Sequence, residues 1–159
     1  MDGPGDGEAE SFALRETDFD QYQAKLSPDG RWRAYVSNES GASEVYVLDF
    51  PDAQGKWQIS NDGGVQPQWS GAGSEIFYIA LDARLMAVDV YGESEFEVGI
   101  PHALFQTQIW RGASAESGIR AQYDVSADGE RFLINRVGPE GTGTEIHVVL
   151  DWFSELESD

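Results

Sequence analysis

Cysteine is absent from all 159 residues, which excludes a disulfide framework, a thiolate zinc site and a cysteine nucleophile. Positive charge is scarce: ten Lys plus Arg, of which only Lys25 and Lys56 are lysines, stand against 29 Asp plus Glu, a formal net charge of −19. A surface of that sign repels phosphate backbones and anionic lipid heads, so neither nucleic acid nor a membrane surface is an expected partner. The acidity reads as a solvated coat of the kind a high-salt environment favours, set against a dedicated site for a basic partner. No stretch approaches the roughly 18 apolar residues of a membrane span. The opening MDGPGDGEAE is acidic where a secretory signal is basic and then apolar, so the chain as written is expected to be soluble, with its compartment left open.

What is present argues for a folded, all-β chain. Hydrophobic residues make up 40% and aromatics 12%, enough to build a core in one ordinary domain. Apolar residues come in runs of about four to eight, rich in Val, Ile, Tyr, Phe and Trp and separated by Gly, Pro, Asp and Ser. These runs predict strands at Tyr22–Ser27, Trp32–Ser37, Glu44–Phe50, Lys56–Ser60, Pro67–Ser70, Glu75–Ala80, Arg84–Tyr91, Phe96–Phe105, Gln122–Ser126, Arg131–Val137 and Glu145–Trp152. Residues 1–11 and 154–159, Gly- and acid-rich, read as a disordered leader and an acidic tail.

Three strand connections align: Ser27-Pro28-Asp29-Gly30, Ser70-Gly71-Ala72-Gly73 and Ser126-Ala127-Asp128-Gly129. The flanking strands align with them: "YQAKLS", "VQPQWS" and "AQYDVS" before the turns, "RWRAYVS", "SEIFYIA" and "ERFLINR" after. A third strand then follows in each copy, with an acid near its end at Asp49, Asp89 or Asp151. A unit of about 40 residues and four antiparallel strands has the period of a propeller blade. Strands such as "VYVLDF" and "IHVVL" carry apolar residues on both faces, as sheets covered on both sides require. The turns themselves read as geometry: Asp bonds backbone amides, Pro presets φ and Gly accepts positive φ.

The stretches "SPDGRWRAYVSNESG", "VYVLDFP", "WQISNDGGVQPQWS", "SEIFY" and "YDVSADGERFLIN" resemble the blades of TolB-like β-propellers, especially those attached to bacterial serine/threonine kinases. The resemblance spans about residues 12–153. It implies a non-catalytic propeller that binds protein or ligand at one face, although related propellers also flank the peptidase domain of dipeptidyl-peptidase-like enzymes. The chain divides on this basis into a closing strand at 12–19, blades at 20–64 and 65–106, a loop at 107–120 and a blade at 121–153. Three blades are too few to close a ring, since propellers have about four to eight. Two explanations stand: half of a six-bladed ring completed by a second copy, or part of a longer six-bladed, kinase-linked protein. The apolar faces a lone half-ring exposes favour the homodimer.

Chemistry-bearing motifs are few. His102 and His147 have no second histidine at metal-ligand spacing, no G-x-S-x-G elbow, P-loop or dinucleotide fingerprint is present, and the D-x-D-x-D-G calcium spacing is missing. No catalytic residue, metal or cofactor is therefore expected. The innermost strands of a propeller line its channel, and theirs begin Gln21-Tyr22-Gln23, Gln66-Pro67-Gln68 and Arg120-Ala121-Gln122-Tyr123. This predicts a polar ring of Gln21, Gln23, Gln66, Gln68, Arg120 and Gln122 at a ligand-binding channel mouth. Trp110 and Arg111, in the Gly/Ser-rich loop "IWRGASAESGIR", are the candidate interaction element. The expected function is a binding or sensor module for a protein or small ligand; the competing class is a hydrolase or lyase subunit using channel-lining carboxylates.

Overall fold

The computed structural model describes residues 17–92, 95–109, 121–137 and 144–149. Twelve strands follow one another: β1 (Gln21–Leu26), β2 (Trp32–Ser37), β3 (Glu44–Asp49), β4 (Lys56–Gln58), β5 (Val65–Trp69), β6 (Glu75–Ile79), β7 (Arg84–Tyr91), β8 (Glu97–Val98), β9 (His102–Gln106), β10 (Tyr123–Val125), β11 (Phe132–Val137) and β12 (Thr144–Val149). No helix occurs among the described residues. The strands form three antiparallel sheets, ordered β1-β2-β3-β4, β5-β6-β7-β8 with β9 also on β7, and β10-β11-β12. The runs called from periodicity coincide with strands to within a few residues, because β-branched and aromatic side chains pack well on a pleated surface.

One expected strand divides. The run Phe96–Phe105 becomes β8 and β9, both paired with the eight-residue β7: Val90 opposite Val98, Ala87 opposite His102 and Leu85 opposite Phe105. Gly99-Ile100-Pro101 separates them, and Pro101 has no N–H to give the ladder. The expected closing strand at 12–19 is described only from Thr17, where the chain makes no strand and Asp20 is tied to Asn38 through Nδ2–H and N–H bonds at 3.1 Å. The strand predicted to reach Trp152 is described as far as Val149, so Asp151 and Trp152 lie outside the described residues.

The three aligned turns have one geometry. Gly30, Gly73 and Gly129 each donate N–H to the carbonyl of Ser27, Ser70 and Ser126, all at 2.9 Å, with glycine φ of 72°, 72° and 78°. Each serine Oγ also accepts from the backbone N–H five residues on: Trp32 at 3.0 Å, Glu75 at 3.1 Å and Arg131 at 3.0 Å. In the first and third copies the serine hydroxyl donates to the turn aspartate, Asp29 or Asp128, and Arg31 or Arg131 pairs with the other carboxylate oxygen. The second copy has the exposed Ala72 there and so lacks the carboxylate tie, and its Gly71 is closely packed. A Cβ on Gly71 would stand 2.5 Å from the Ala127 carbonyl oxygen, to which Gly71 N–H donates at 3.0 Å. Gly71 has no room for a side chain because the third turn lies against it.

The sheets stack side by side. Ala34, Val36, Val45 and Val47 on one face of the first sheet join the main core, and the first sheet meets the second through β5. Phe96 sits in this joint with its ring centroid 4.9 Å from both Trp32 and Trp57 and 6.4 Å from Trp69, and Trp69 Nε1–H donates to the Lys25 carbonyl at 3.1 Å. The second joint places Phe132 5.1 Å from Phe77 and 5.8 Å from Phe105. On the far face of the first sheet Tyr35, Tyr46 and Leu48 form a separate buried cluster with Ala53. The middle sheet is thus covered on both faces, as its apolar residues on both sides require.

Candidate functional site

Four residues before each turn serine stands a glutamine: Gln23, Gln66 and Gln122. In β1 and β5 a bulge interrupts the register at this point, between Tyr22 and Lys25 and between Val65 and Gln68. The bulged glutamines take left-handed backbone, φ 55° at Gln23 and 57° at Gln66, a conformation that costs a non-glycine residue about 1 kcal/mol or more. The irregularity aims each side chain at the neighbouring sheet. Gln66 N–H donates to Gln23 Oε1 at 2.7 Å, and Gln122 N–H donates to Gln66 Oε1, also at 2.7 Å. Gln66 Nε2–H returns a bond to Gln122 Oε1 at 2.9 Å. The same link, carboxamide oxygen to the next glutamine's amide, therefore recurs at both joints.

Of the predicted channel-mouth residues, the fold brings Gln23, Gln66 and Gln122 together and leaves others apart. Gln21 donates to Thr17 Oγ1 at 3.0 Å on an exposed edge. Gln68 is half-buried opposite Phe77 and has no place in the hydrogen-bonded row. Arg120, Trp110 and Arg111 lie outside the described residues. Tyr123, placed by the sequence at the start of the third inner strand but not in the polar ring, joins it: its buried hydroxyl donates to the Gln66 carbonyl at 2.8 Å, and burial, then Asp124, pushes it well above the ordinary tyrosine range. A tyrosine adjoining the repeated glutamine in a core strand was the available signal, since a buried phenol needs a partner.

A second polar tie lies at the same end of the sheets. Glu44, buried at the start of β3, accepts from the Ser60 hydroxyl and from Gly63 N–H at 2.9 Å, while Ser60 Oγ accepts from Val45 N–H at 2.8 Å. Burial, with Glu44 and Asp62 nearby, pushes Tyr78 up to about 12. The loop 107–120 also departs from this end: Thr107 N–H donates to the Ala83 carbonyl at 3.0 Å, Gln108 Oε1 accepts from Arg136 Nε–H, and the chain returns at Gln122, bonded to Gln66. Between these residues lies a cleft of about 160 Å³, floored by Phe105, Ile134 and Val149 and rimmed by Thr107, Gln108 and Arg136.

The opposite, turn end holds Glu75, paired across the ladder with Asp89. Burial, reinforced by the Asp89 charge, raises the Glu75 carboxyl above its ordinary value, with His102 acting against the shift. His102 itself is exposed on β9; the side chain of His147 lies outside the described residues.

Antiparallel sheets stacked face to face, with the first strands of each gathered at one end, define a β-propeller type of fold. Solved structures agree. The fold is similar to that of TolB from Acinetobacter baumannii, with a TM-score of 0.55 and 16% identity over 82% of this chain and 30% of that one. It is also similar to oligogalacturonate lyase from Vibrio parahaemolyticus, at 0.51 and 16% over 76% and 31%, and to an oligogalacturonate lyase in complex with manganese, at 0.53 and 17% over 80% and 32%. The chain spans about a third of the length of each of these proteins. No protein-family model and no curated relative matches the sequence.

Proposed function

We propose that this chain is a non-catalytic β-propeller module that binds a protein or small ligand at the glutamine end of its sheets. One observation carries the reading. The row Gln23–Gln66–Gln122 and both ends of the 107–120 loop share that end, because Thr107 is anchored on Ala83 and Gln122 on Gln66. The half-buried Gln23 and Gln122 stand at that end with the buried Gln66 between them, and the loop whose sequence carries Trp110, Arg111 and Arg120 leaves and rejoins the described chain there. Carboxamides offer both donors and acceptors, and Trp and Arg are the residues that most often carry binding energy at an interface. In this reading the three sheets are three blades, half of a six-bladed ring that a second copy completes. The test is affinity capture with the chain as bait, followed by calorimetry on the captured species. Trp110→Ala or Arg111→Ala is expected to weaken binding about tenfold or more. Binding unmoved by either but lost on changes at Arg31 or Glu75 would overturn the assignment of the binding end.

The enzymatic reading has one specific observation in its favour, the Glu75 and Asp89 pair with its raised carboxyl. Among the described residues no three His, Cys, Asp or Glu side chains are grouped to hold a metal ion, so they do not fit a manganese centre. Incubation of the purified chain with oligogalacturonate is expected to give no unsaturated product. Product formation that Glu75→Gln abolishes would establish the enzymatic reading instead.

A further inference from the structure

Tyr78 and Ile134 occupy equivalent positions, each eight residues after its turn serine and each buried, at 3% and 4% exposure. Isoleucine serves at the second joint, so packing at this position does not call for a phenol. A buried tyrosine hydroxyl ordinarily finds a partner, as Tyr123 finds the Gln66 carbonyl. The hydroxyl of Tyr78 makes no hydrogen bond among the described residues. Its ring lies against Gly64, where an added Cβ would stand 3.0 Å from Tyr78 Cδ2. The residue lines a cleft of about 450 Å³ at the glutamine end of the first joint.

The cleft lies between the connection 61–63 and the β6–β7 turn with the strands beside it, and its charges are unevenly matched. Arg84 is paired with Asp82 at 3.2 Å, and Glu44 has both oxygens engaged, by Gly63 N–H and the Ser60 hydroxyl. Asp62 is exposed, and among the described residues its carboxylate has neither an ion pair nor a hydrogen bond. Glu44 and Asp62 both act on the Tyr78 phenol, and no cation among the described residues opposes them. The rim is apolar: Leu81 lies over Gly63 and is 56% exposed, and Ile100 is 87% exposed. A phenol oxygen free to accept, an unpaired carboxylate and an apolar rim thus face one cleft.

We infer that this cleft receives a lysine side chain of a protein partner, its ammonium group donating to Tyr78 Oη and pairing with Asp62 while its alkyl stem lies along Leu81 and Ile100. This inference rests on the binding-end reading above and names the partner's chemistry. Charge selects a cation, since a chain of net charge −19 draws cations and repels anions. The acceptors select ammonium over guanidinium. A guanidinium fork is best met by both oxygens of one carboxylate, and Glu44 has neither to spare, whereas a point charge is satisfied by single acceptors on different residues. The rim selects a lysine in a peptide over a free polyamine, because neighbouring side chains of the peptide can cover Leu81 and Ile100.

Titration of the full chain with the peptide acetyl-Leu-Lys-Leu-amide, followed by amide NMR up to millimolar peptide, tests this. Shifts are expected to gather at Gly63, Leu81 and Arg84. The same peptide with its lysine acetylated, and so neutral, is expected to bind about tenfold more weakly. Tyr78→Phe removes an oxygen with no partner in the described chain, so it should leave Tm unlowered while weakening the peptide about fivefold. Asp62→Asn should weaken it likewise. Glu130→Gln removes the same charge from an exposed position at the turn end and should leave binding unchanged. Shifts spread over the whole surface, or equal losses in Asp62→Asn and Glu130→Gln, would trace the effect to net charge and overturn the cleft. Spermidine binding more tightly than the peptide would overturn the peptide as the source. A peptide that does not bind overturns the lysine inference and leaves the binding end, which partner capture with Trp110→Ala tests separately. Binding lost on Trp110→Ala but indifferent to Tyr78→Phe overturns the cleft and keeps that end, whereas binding lost only on changes at Arg31 or Glu75 overturns both.

Discussion

Gln66 holds Gln122 by two hydrogen bonds across a sheet boundary, its Oε1 accepting from the Gln122 N–H at 2.7 Å and its Nε2–H donating to Gln122 Oε1 at 2.9 Å. The two residues are 56 positions apart in sequence. Gln66 is buried, so these bonds have no water to replace them. Gln66→Ala is expected to destabilise the fold by about 2–4 kcal/mol in urea unfolding, leaving the Gln122 N–H and the Gln122 carboxamide oxygen without their Gln66 side-chain partners while the Gln66 N–H bond to Gln23 is kept. Gln66→Gly loses the same bonds but relieves the left-handed backbone at φ 57°, and should cost about 1 kcal/mol less than alanine. Equal losses in the two variants would show that the backbone conformation there carries no strain.

The glycines of the turns differ in what a methyl group would meet. A Cβ on Gly30 finds open space and pays only for its positive φ, whereas one on Gly71 runs into the Ala127 backbone. Gly30→Ala is expected to cost about 1 kcal/mol and Gly71→Ala about 2–3 kcal/mol, as an overpacked contact does. The reverse order in thermal unfolding would refute the turn-on-turn contact.

Phe96 lies outside any strand and is buried among Trp32, Trp57 and Trp69. Removing the ring empties the first joint, and Phe96→Ala is expected to cost about 3–5 kcal/mol. Because three tryptophans line that space, the same substitution should red-shift the intrinsic fluorescence. An unshifted spectrum would place the tryptophans in an environment independent of Phe96.

The acid dependence of stability divides by sign. Burial alone would raise Asp29, but bonds from the Ser27 hydroxyl, the Arg31 N–H and the Arg31 guanidinium hold it down to about 2. The Ser126 hydroxyl, the Glu130 N–H and Arg131 likewise lower Asp128. A carboxyl depressed in the folded state stabilises above its unfolded value, and the contribution is lost as pH falls from about 4 toward 2. Asp29 is well exposed, so solvent screening limits its share to under about 1 kcal/mol. Asp29→Asn should flatten the acid limb of a plot of Tm against pH.

Glu75 runs the other way. Its carboxyl is raised by burial and by Asp89, so ionisation costs stability above its folded value and the cost disappears as pH falls through it. Glu75→Gln is accordingly expected to raise Tm at pH 7 and to leave it unchanged at low pH, where both side chains are neutral. A fall in Tm at pH 7 would contradict this.

The three serine turns, the strands beside them and the all-β character were legible in the sequence because they are local: a turn's Asp and Gly act within five residues, and apolar runs declare a strand wherever they pack. The divided strand at Phe96–Phe105 was harder to read, since β7 offers one edge long enough for two pieces and only pairing reveals it. The candidate site was legible in part. Gln23, Gln66 and Gln122 recur at one offset from the turn serines and do come together, while Gln21 and Gln68, each two residues away along its strand, do not. Periodicity could place the glutamines on the first strands but not distinguish those that a bulge turns toward the next sheet.

By itself the sequence determined which residues make strands and turns, that the unit recurs, and that the surface is strongly acidic, because each follows from local backbone preference or from composition. Only the tertiary structure decided what the repeated glutamines do and why position 71 must be glycine. Those depend on how close two sheets approach and on which side chains meet there, distances that no spacing along one strand encodes.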